Sequence, residues 1–247
     1  MMIYKPTTLR EAVALRAEHP DDSVYLAGGT DDLRLGSDAA GKDLIDLNGL
    51  VDTKIEVKDG KLVIGGLATL QDVVESSLVP AFIKDAAKFC SSFEKRNAAT
   101  VGGNLALRRD DSYLAAAMCA AEATLRLCTK EGEKEIPVAD FLNCNCTPVI
   151  EAVVLDADRT GWVKRFGNTA ASHAALIAAQ SGSVYALTVH GSGLAVGDSP
   201  AIYETLEYKD DLTGGADYKK YLAGIVFEQG RYALWIINAK STASFAR

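Results

Sequence analysis

In the first thirty residues, a helical pattern of apolar positions is followed by an extended one. Leu9, Ala12, Val13 and Leu15 recur at helical spacing, and the sequence Thr8-Leu9-Arg10-Glu11 has the form of a capping box at their start. Pro20 disfavours helical geometry in the residue before it, so we expect the helix to end near Glu18. A short apolar run then predicts a strand over residues 23–27.

The middle of the chain predicts short strands and helices in succession. Asp59-Gly60 between two apolar runs is a strong hairpin signal. The predicted strands cover residues 44–47, 55–57, 62–64, 124–128 and 136–138. The predicted helices cover residues 70–76, capped by Thr69, residues 81–89 after Pro80, and the alanine-rich residues 115–121.

The composition changes near Asn143-Cys144-Asn145-Cys146-Thr147-Pro148, which we interpret as the boundary before a second unit. Beyond it the pattern predicts strands at 149–155, 161–167 and 184–190, helices at 170–179 and 217–222, and an apolar run at 232–237 that fits a buried strand or helix.

Two glycine pairs indicate phosphate-binding chemistry. Ala27-Gly28-Gly29-Thr30-Asp31 follows the strand at 23–27, and Gly102-Gly103 lies between Thr100 and Asn104. Glycine tolerates positive φ, so consecutive amides can turn toward one anion. Thr100 and Asn104 would add donors, and Arg108 and Arg109 positive charge. A lone glycine pair is more often only a tight turn.

Two acidic residues conflict with this interpretation. The carboxylates of Asp31 and Asp32 would repel a diphosphate, so we expect their side chains to point away from it. Neither glycine pair has the spacing of a Walker loop or of a Rossmann turn.

Charge and composition narrow the class of partner. With 48% hydrophobic and 24% charged residues, the 247-residue chain is typical of a folded globular protein. Its formal charge of -7 argues against nucleic acid or an anionic membrane as the partner. Five cysteines without metal-ligand spacing favour free thiols and a cytoplasmic location, and the three histidines, His19, His173 and His190, also lack metal-ligand spacing.

Three stretches together resemble a known family. These are AGGTD at 27–31, GGLATL at 65–70, and NAATVGGNLA at 97–106 followed by DSYL at 111–114. They are similar to the FAD-binding (medium) subunit of molybdopterin-dependent hydroxylases, which includes the flavoproteins of xanthine dehydrogenase and carbon monoxide dehydrogenase. The resemblance weakens in the last third, where the C-terminal domain is short for the family.

The resemblance implies an α+β fold. We expect a two-lobed FAD-binding domain of the vanillyl-alcohol-oxidase type over residues 1–147, with lobes of about 1–52 and 53–147. A smaller α/β domain of the CO dehydrogenase flavoprotein C-terminal type would occupy residues 148–247.

The resemblance also implies FAD as the cofactor and assigns residues to it. The cofactor-binding candidates are Ala27, Gly28, Gly29, Thr30, Asp31, Thr100, Gly102, Gly103, Asn104 and Asp111. Asp111 would accept hydrogen bonds from ribityl or ribose hydroxyls, whereas we expect Arg108, Arg109 and Asp110 to lie in a solvated loop. No catalytic residue and no metal ligand is assigned.

The function implied is that of one component in a xanthine dehydrogenase-like complex. A molybdopterin-binding large subunit and an iron-sulfur small subunit would be its partners, and FAD would pass electrons to NAD or another acceptor. Two alternatives remain open: a non-catalytic paralogue with weak or lost flavin binding, and a different enzyme that binds a diphosphate nucleotide.

Overall fold

The computed structural model describes residues 1–228, and the first of its three sheets is a small parallel one near the N-terminus. Its elements are β1 (Ile3–Tyr4), α1 (Leu9–Glu18), β2 (Ser23–Leu26) and β3 (Asp43–Asp46). The strands run in the order β1-β3-β2, and α1 packs against β2 and β3. The Thr8 hydroxyl caps α1 by accepting from the Glu11 amide, as the sequence predicts. The Glu11 carboxylate accepts from the Thr7 amide, at 2.7 Å, one residue before the expected partner.

A five-stranded antiparallel sheet forms the second lobe. It comprises β4 (Ile55–Lys58), β5 (Lys61–Gly65), β6 (Thr124–Thr129), β7 (Gly132–Pro137) and β8 (Val149–Asp156), in the order β4-β5-β8-β6-β7. Asp59 and Gly60 both have positive φ, 52° and 75°, so the predicted Asp-Gly turn is present. The central strand β8 pairs with β5 and β6, although the expected boundary near residue 148 assigns it to the second unit.

Six short helices connect these strands. They are α2 (Leu70–Glu75), α3 (Ala81–Lys88), α4 (Phe93–Ala98), α5 (Val101–Ala106), α6 (Ala115–Ala120) and α7 (Val138–Asn143). A full capping box between Thr69 and Asp72 starts α2. The apolar pattern did not predict α4, because its sequence FEKRNA has no buried residue and hence no apolar face.

A four-stranded antiparallel sheet follows in the C-terminal part. Its strands are β9 (Gly161–Phe166), β10 (Leu176–Ser181), β11 (Val184–Val189) and β12 (Gly193–Gly197), in the order β12-β11-β10-β9. A 3₁₀ helix (Pro200–Thr205) comes next, and residues 216–228 are helical, which confirms the helix expected at 217–222. The apolar run at 232–237 lies outside the described residues.

The helix expected at 170–179 is wrong. This stretch is a loop followed by β10, and all six residues of β10 are buried between β9 and β11. Alanine is a good helix former, but here its small side chain lets the sheet approach α6 closely. Tertiary packing therefore overrides the helix propensity of the alanine-rich segment.

The alanine-rich helix α6 joins the two larger sheets. All six of its residues are buried, and it contacts β10 and β11 while belonging to the same core as β5 and β8. That core includes Ile64, Met118, Val153 and Ile177. The C-terminal sheet is thus packed directly on the second lobe, which fixes the position of the loop between β9 and β10.

The cysteines divide into two groups. Cys90, Cys119 and Cys128 are free and buried, as expected for structural thiols. The expectation of free thiols is wrong for Cys144 and Cys146, which form a disulfide. Among the helices of residues 1–228, none combines the length and the apolar character needed to cross a bilayer.

Candidate functional site

The first glycine loop leaves its amides open. It follows β2, and a Cβ on Gly28 would lie 1.8 Å from the carbonyl oxygen of Ala98, so only glycine fits there. Gly29 has φ +64°, a left-handed conformation that glycine adopts without strain. Within residues 1–228, the amides of Gly28, Gly29, Thr30 and Asp31 donate no hydrogen bond. Consecutive free amides of this kind form an anion-binding concavity.

The second glycine pair is not a loop, contrary to the sequence-based expectation. Gly102 and Gly103 lie in the first turn of α5, and neither has positive φ. The amide of Gly102 donates to the Gly66 carbonyl, at 2.8 Å, and that of Gly103 donates to the Thr100 hydroxyl, at 3.1 Å. These amides are therefore already paired within the protein and are not available to an anion.

Nine of the ten predicted cofactor-binding residues line one cavity of about 390 Å³. They are Ala27, Gly28, Gly29, Thr30, Asp31, Thr100, Gly103, Asn104 and Asp111. Gly102 is buried and instead lines a neighbouring cavity of about 210 Å³. The two cavities share four lining residues on both glycine segments, Ala27, Asp32, Gly103 and Leu107, and so adjoin each other.

The charge of the Asp31 carboxylate is balanced by two arginines, whereas we expected the side chain to point away from the diphosphate site. Its carboxylate pairs with the Nε of Arg34, at 3.1 Å, and with an Nη of Arg109, at 3.3 Å. Asp32 lines both cavities, and burial, assisted by the neighbouring charge of Asp31, raises its pKa. The acidic residues after the glycine loop thus lower the positive charge of this wall without removing it.

Asp111 is held by two side chains from different parts of the chain. Its oxygens accept from Arg109, at 2.9 Å to Nε, and contact Nδ1 of His173 from the loop between β9 and β10. Its side chain is only 12% exposed. Burial raises the pKa of Asp111, but the hydrogen bonds from Arg109 and His173 outweigh burial and hold this pKa below its usual range.

The expectation that residues 108–110 form a solvated loop is wrong for both arginines. The Arg108 guanidinium lies 4.2 Å from the centre of the Phe141 ring and donates to the Phe141 carbonyl, at 3.1 Å. Arg109 bridges Asp31 and Asp111. Asp110 is also partly buried, and burial raises its pKa. Arg108 therefore holds α7 in place, whereas Arg109 belongs to the cavity wall.

Among the cavity residues that sequence reasoning missed are Lys95 and Tyr113. Nζ of Lys95 lies 5.8 Å from the centre of the Tyr113 ring. No carboxylate in residues 1–228 lies within ion-pair distance of Lys95. Burial raises the pKa of Tyr113 to about 12, so its phenol is neutral near pH 7. The available signal for Lys95 was its position two residues before the NAATVGG segment.

The chain belongs to a known family of flavoproteins. Residues 1–155 match the family described as the FAD binding domain in molybdopterin dehydrogenase. The cofactor of this chain is accordingly FAD, and the chain is an FAD-binding subunit of the molybdenum hydroxylase family.

Two relatives and one solved structure cover nearly the whole chain. The chain is 26% identical to the carbon monoxide dehydrogenase medium chain of Hydrogenophaga pseudoflava, over 94% of this chain and 96% of that one. It is 25% identical to the uncharacterized protein YgfM of Escherichia coli K12, over 90% of this chain and 92% of YgfM. The fold matches the crystal structure of the cyanide-inactivated Cu,Mo-CO dehydrogenase with a TM-score of 0.81, at 19% identity and over 94% of this chain and 96% of that one. The expected α+β fold of this family is thus confirmed.

Proposed function

We propose that this chain carries FAD in the cavity between its glycine loop and the loop between β9 and β10, and that it transfers electrons within a xanthine dehydrogenase-like complex. The observation that supports this most is the row of free amides at Gly28 to Asp31 on the wall of that cavity. Free amides in a row favour a bound anion, and FAD contains a diphosphate.

The residues of the cavity fit such a group. The four amides of the first glycine loop would donate to the diphosphate, and Lys95 would contribute a positive charge that no carboxylate of residues 1–228 neutralises. Arg34 and Arg109 contribute less, because Asp31 already pairs with both. The role of the second glycine segment is to bring Thr100, Gly103 and Asn104 to the same cavity, not to supply amides.

Asp111 is assigned to the sugar side of the cofactor. Two protein donors already occupy it, but a carboxylate has about four acceptor sites, so it can still accept from a hydroxyl. Arg109 and His173 keep it ionised and fix its orientation. Asn104 accepts from Ser112 and from the Leu114 amide, at 2.8 and 3.1 Å, and so anchors the segment that carries Asp111.

FAD, when bound, accepts electrons singly or in pairs and so can connect one-electron centres to a two-electron acceptor. This chain would bind and orient it and limit its contact with water. The five cysteines comprise one disulfide and three separate buried thiols, which do not form the ligand set of an iron-sulfur cluster. We therefore propose a molybdopterin-binding large subunit and an iron-sulfur small subunit as partners, with NAD or another acceptor receiving the electrons.

Reconstitution tests this proposal. Co-expression with large and small subunits should give substrate-driven bleaching of the flavin absorbance, with a purine, another heteroaromatic compound or an aldehyde as substrate. The isolated chain should show no such bleaching. Steady purine oxidation by the isolated chain would rule the subunit role out.

Two simple measurements separate the alternatives. A purified chain without flavin absorbance that also fails to take up added FAD would indicate the non-catalytic paralogue. Mass spectrometry of the released ligand would identify a different diphosphate nucleotide if one were bound in place of FAD.

A further inference from the structure

One side-chain cluster at the edge of the cavity joins Asp111 and His173, which line the cavity, to His190, which has no role in the function proposed above. Asp111, His173 and His190 each offer one ligand atom, and these three atoms lie within 4.8 Å of one another. The three residues come from the segment after α5, the loop between β9 and β10, and the residue after β11. The two imidazole rings have centres 5.5 Å apart and planes tilted by 49°.

We propose that Asp111, His173 and His190 form a binding site for a divalent transition-metal ion such as Zn²⁺, Co²⁺ or Fe²⁺. Two imidazoles and one carboxylate are a donor set that such ions use when some coordination positions stay open to water or another ligand. Two imidazoles on one tetrahedral ion have ring centres roughly 5 Å apart, because each metal–nitrogen bond is about 2.0 to 2.1 Å long. The observed ring separation fits that requirement.

The surroundings of His190 are those of a metal ligand. Its Nδ1 lies 2.9 Å from a carboxylate oxygen of Asp211, which leaves Nε2 for an ion. A carboxylate on the second nitrogen fixes the ring orientation and raises the basicity of the ligand nitrogen.

Asp211 is itself held in place by Lys219. The Lys219 side chain is fully buried, and its Nζ donates to Asp211, at 2.5 Å, and to the backbone carbonyl of His190, at 3.0 Å. The contacts among His190, Asp211 and Lys219 therefore hold His190 rigidly, as a preorganised ligand requires.

Arg109 opposes the ion. Its guanidinium binds Asp111, and one of its nitrogens lies 3.4 Å from Nδ1 of His173. A cation so close lowers the affinity for a second cation. We therefore expect two neighbouring substitutions to have opposite effects on metal affinity. Loss of a ligand should weaken metal binding, and loss of Arg109 should strengthen it.

The experiment uses the full chain as purified, after treatment with a chelator. Calorimetric titration with Zn²⁺ should show one equivalent bound, and Co²⁺ should give the paramagnetic resonance spectrum of a bound ion. His173→Ala and His190→Ala should each weaken binding at least about tenfold, and Asp211→Asn about tenfold to a hundredfold. Arg109→Gln should tighten it.

The third histidine of the chain supplies a matched control. His19 lies at the C-terminal end of α1, outside the cluster, so His19→Ala should leave the affinity unchanged. Circular dichroism and thermal melting establish whether each variant is folded. Should His190→Ala fail to fold, His173→Ala carries the test, because the His173 side chain is 60% exposed.

Two outcomes overturn the proposal. The first is the absence of stoichiometric Zn²⁺ binding to the wild-type chain. The second is binding that His173→Ala leaves as strong as in the wild type, which would show that the ions bind elsewhere. Neither outcome bears on FAD, since flavin retention is measured separately by absorbance.

Discussion

The two glycine segments have similar sequences but different backbone structures and different hydrogen bonding of their amides. The first, at residues 27–31, is a loop with four free amides on a cavity wall. The second, at residues 100–104, is the start of a helix whose amides are satisfied by the Thr100 hydroxyl and by the backbone of residues 66 and 68. Glycine at 28 and 102 has the same cause in both segments, a close approach of another backbone.

The comparison shows that a glycine pair by itself does not define an anion site. What matters is whether acceptors within the protein already occupy the amides. In the first segment the chain turns away from the end of β2 and leaves them open, whereas in the second the segment before α2 lies against α5 and pairs with them. The first segment should therefore govern cofactor affinity, and the second should govern stability.

The largest effect should come from Gly102→Val. A Cβ at this buried position would lie 2.7 Å from the Gly66 carbonyl oxygen, so the backbone of α5 or of residue 66 must shift to accommodate a side chain. We expect the free energy of unfolding to fall by about 3 kcal/mol, the upper end of the usual cost of overpacking. Urea denaturation measures it. Ala106→Val, at the exposed end of the same helix, is the control and should cost well under 1 kcal/mol.

If Gly102→Val leaves the free energy of unfolding unchanged, the second glycine segment does not have the stabilising role that we assign to it. Loss of FAD from a fully stable Gly102→Val variant would instead show that the second glycine segment binds the diphosphate.

Lys95→Gln should weaken FAD binding without changing stability. A charge-assisted hydrogen bond contributes about 1.5 to 3 kcal/mol, so the dissociation constant should rise at least about tenfold. Titration of the apoprotein with FAD measures it. Lys88→Gln on the neighbouring helix α3 serves as the control, because Lys88 is exposed and does not line the cavity. Equal affinities for wild type and Lys95→Gln would remove Lys95 from the site.

Asp111→Asn should raise the FAD dissociation constant by about tenfold, the cost of one lost hydrogen bond to a sugar hydroxyl. The reduction potential and the reoxidation rate of the bound flavin should stay nearly unchanged, because Asp111 is assigned to the sugar side. Asp110→Asn is the matched control, since Asp110 does not line the cavity. A shift in potential without a change in affinity would place Asp111 near the isoalloxazine ring instead.

Asp32→Asn should have the smallest effect and the opposite sign. Burial, then the charge of Asp31, raises the pKa of Asp32 above its unfolded value. The ionised carboxylate therefore destabilises the folded chain at neutral pH. The variant should be more stable at pH 7 and should bind FAD more tightly by at most about tenfold.

The pH dependence provides the check on Asp32. The stability gain of Asp32→Asn should be complete above the folded pKa and should disappear as the pH falls below the unfolded value of about 3.9. Denaturation of both proteins between pH 3 and pH 8 measures this difference. A gain that stays constant down to pH 3 would show that it does not arise from the charge of Asp32.

Much of the fold follows from local sequence. The caps at Thr8 and Thr69 and the Asp59-Gly60 turn involve groups at most four residues apart, and each is found where it is predicted. The helix predicted at 170–179 failed because the state of an alanine-rich segment depends on what packs against it, here α6 and two neighbouring strands. The charged helix α4 was missed because it has no apolar face to recognise.

The family, the cofactor and nine residues of the cavity wall could be predicted from the sequence, because the motifs that carry them are short and contiguous. The tertiary structure shows which glycine amides are free, since the acceptor of the Gly102 amide, the Gly66 carbonyl, is more than thirty positions away in the chain. It also decided that His173 and His190 meet Asp111, although nothing in their spacing indicates it. Hydrogen bonds and metal coordination depend on distances of a few ångströms, and for residues so far apart in the chain those distances are set by the packing of the C-terminal sheet on α6.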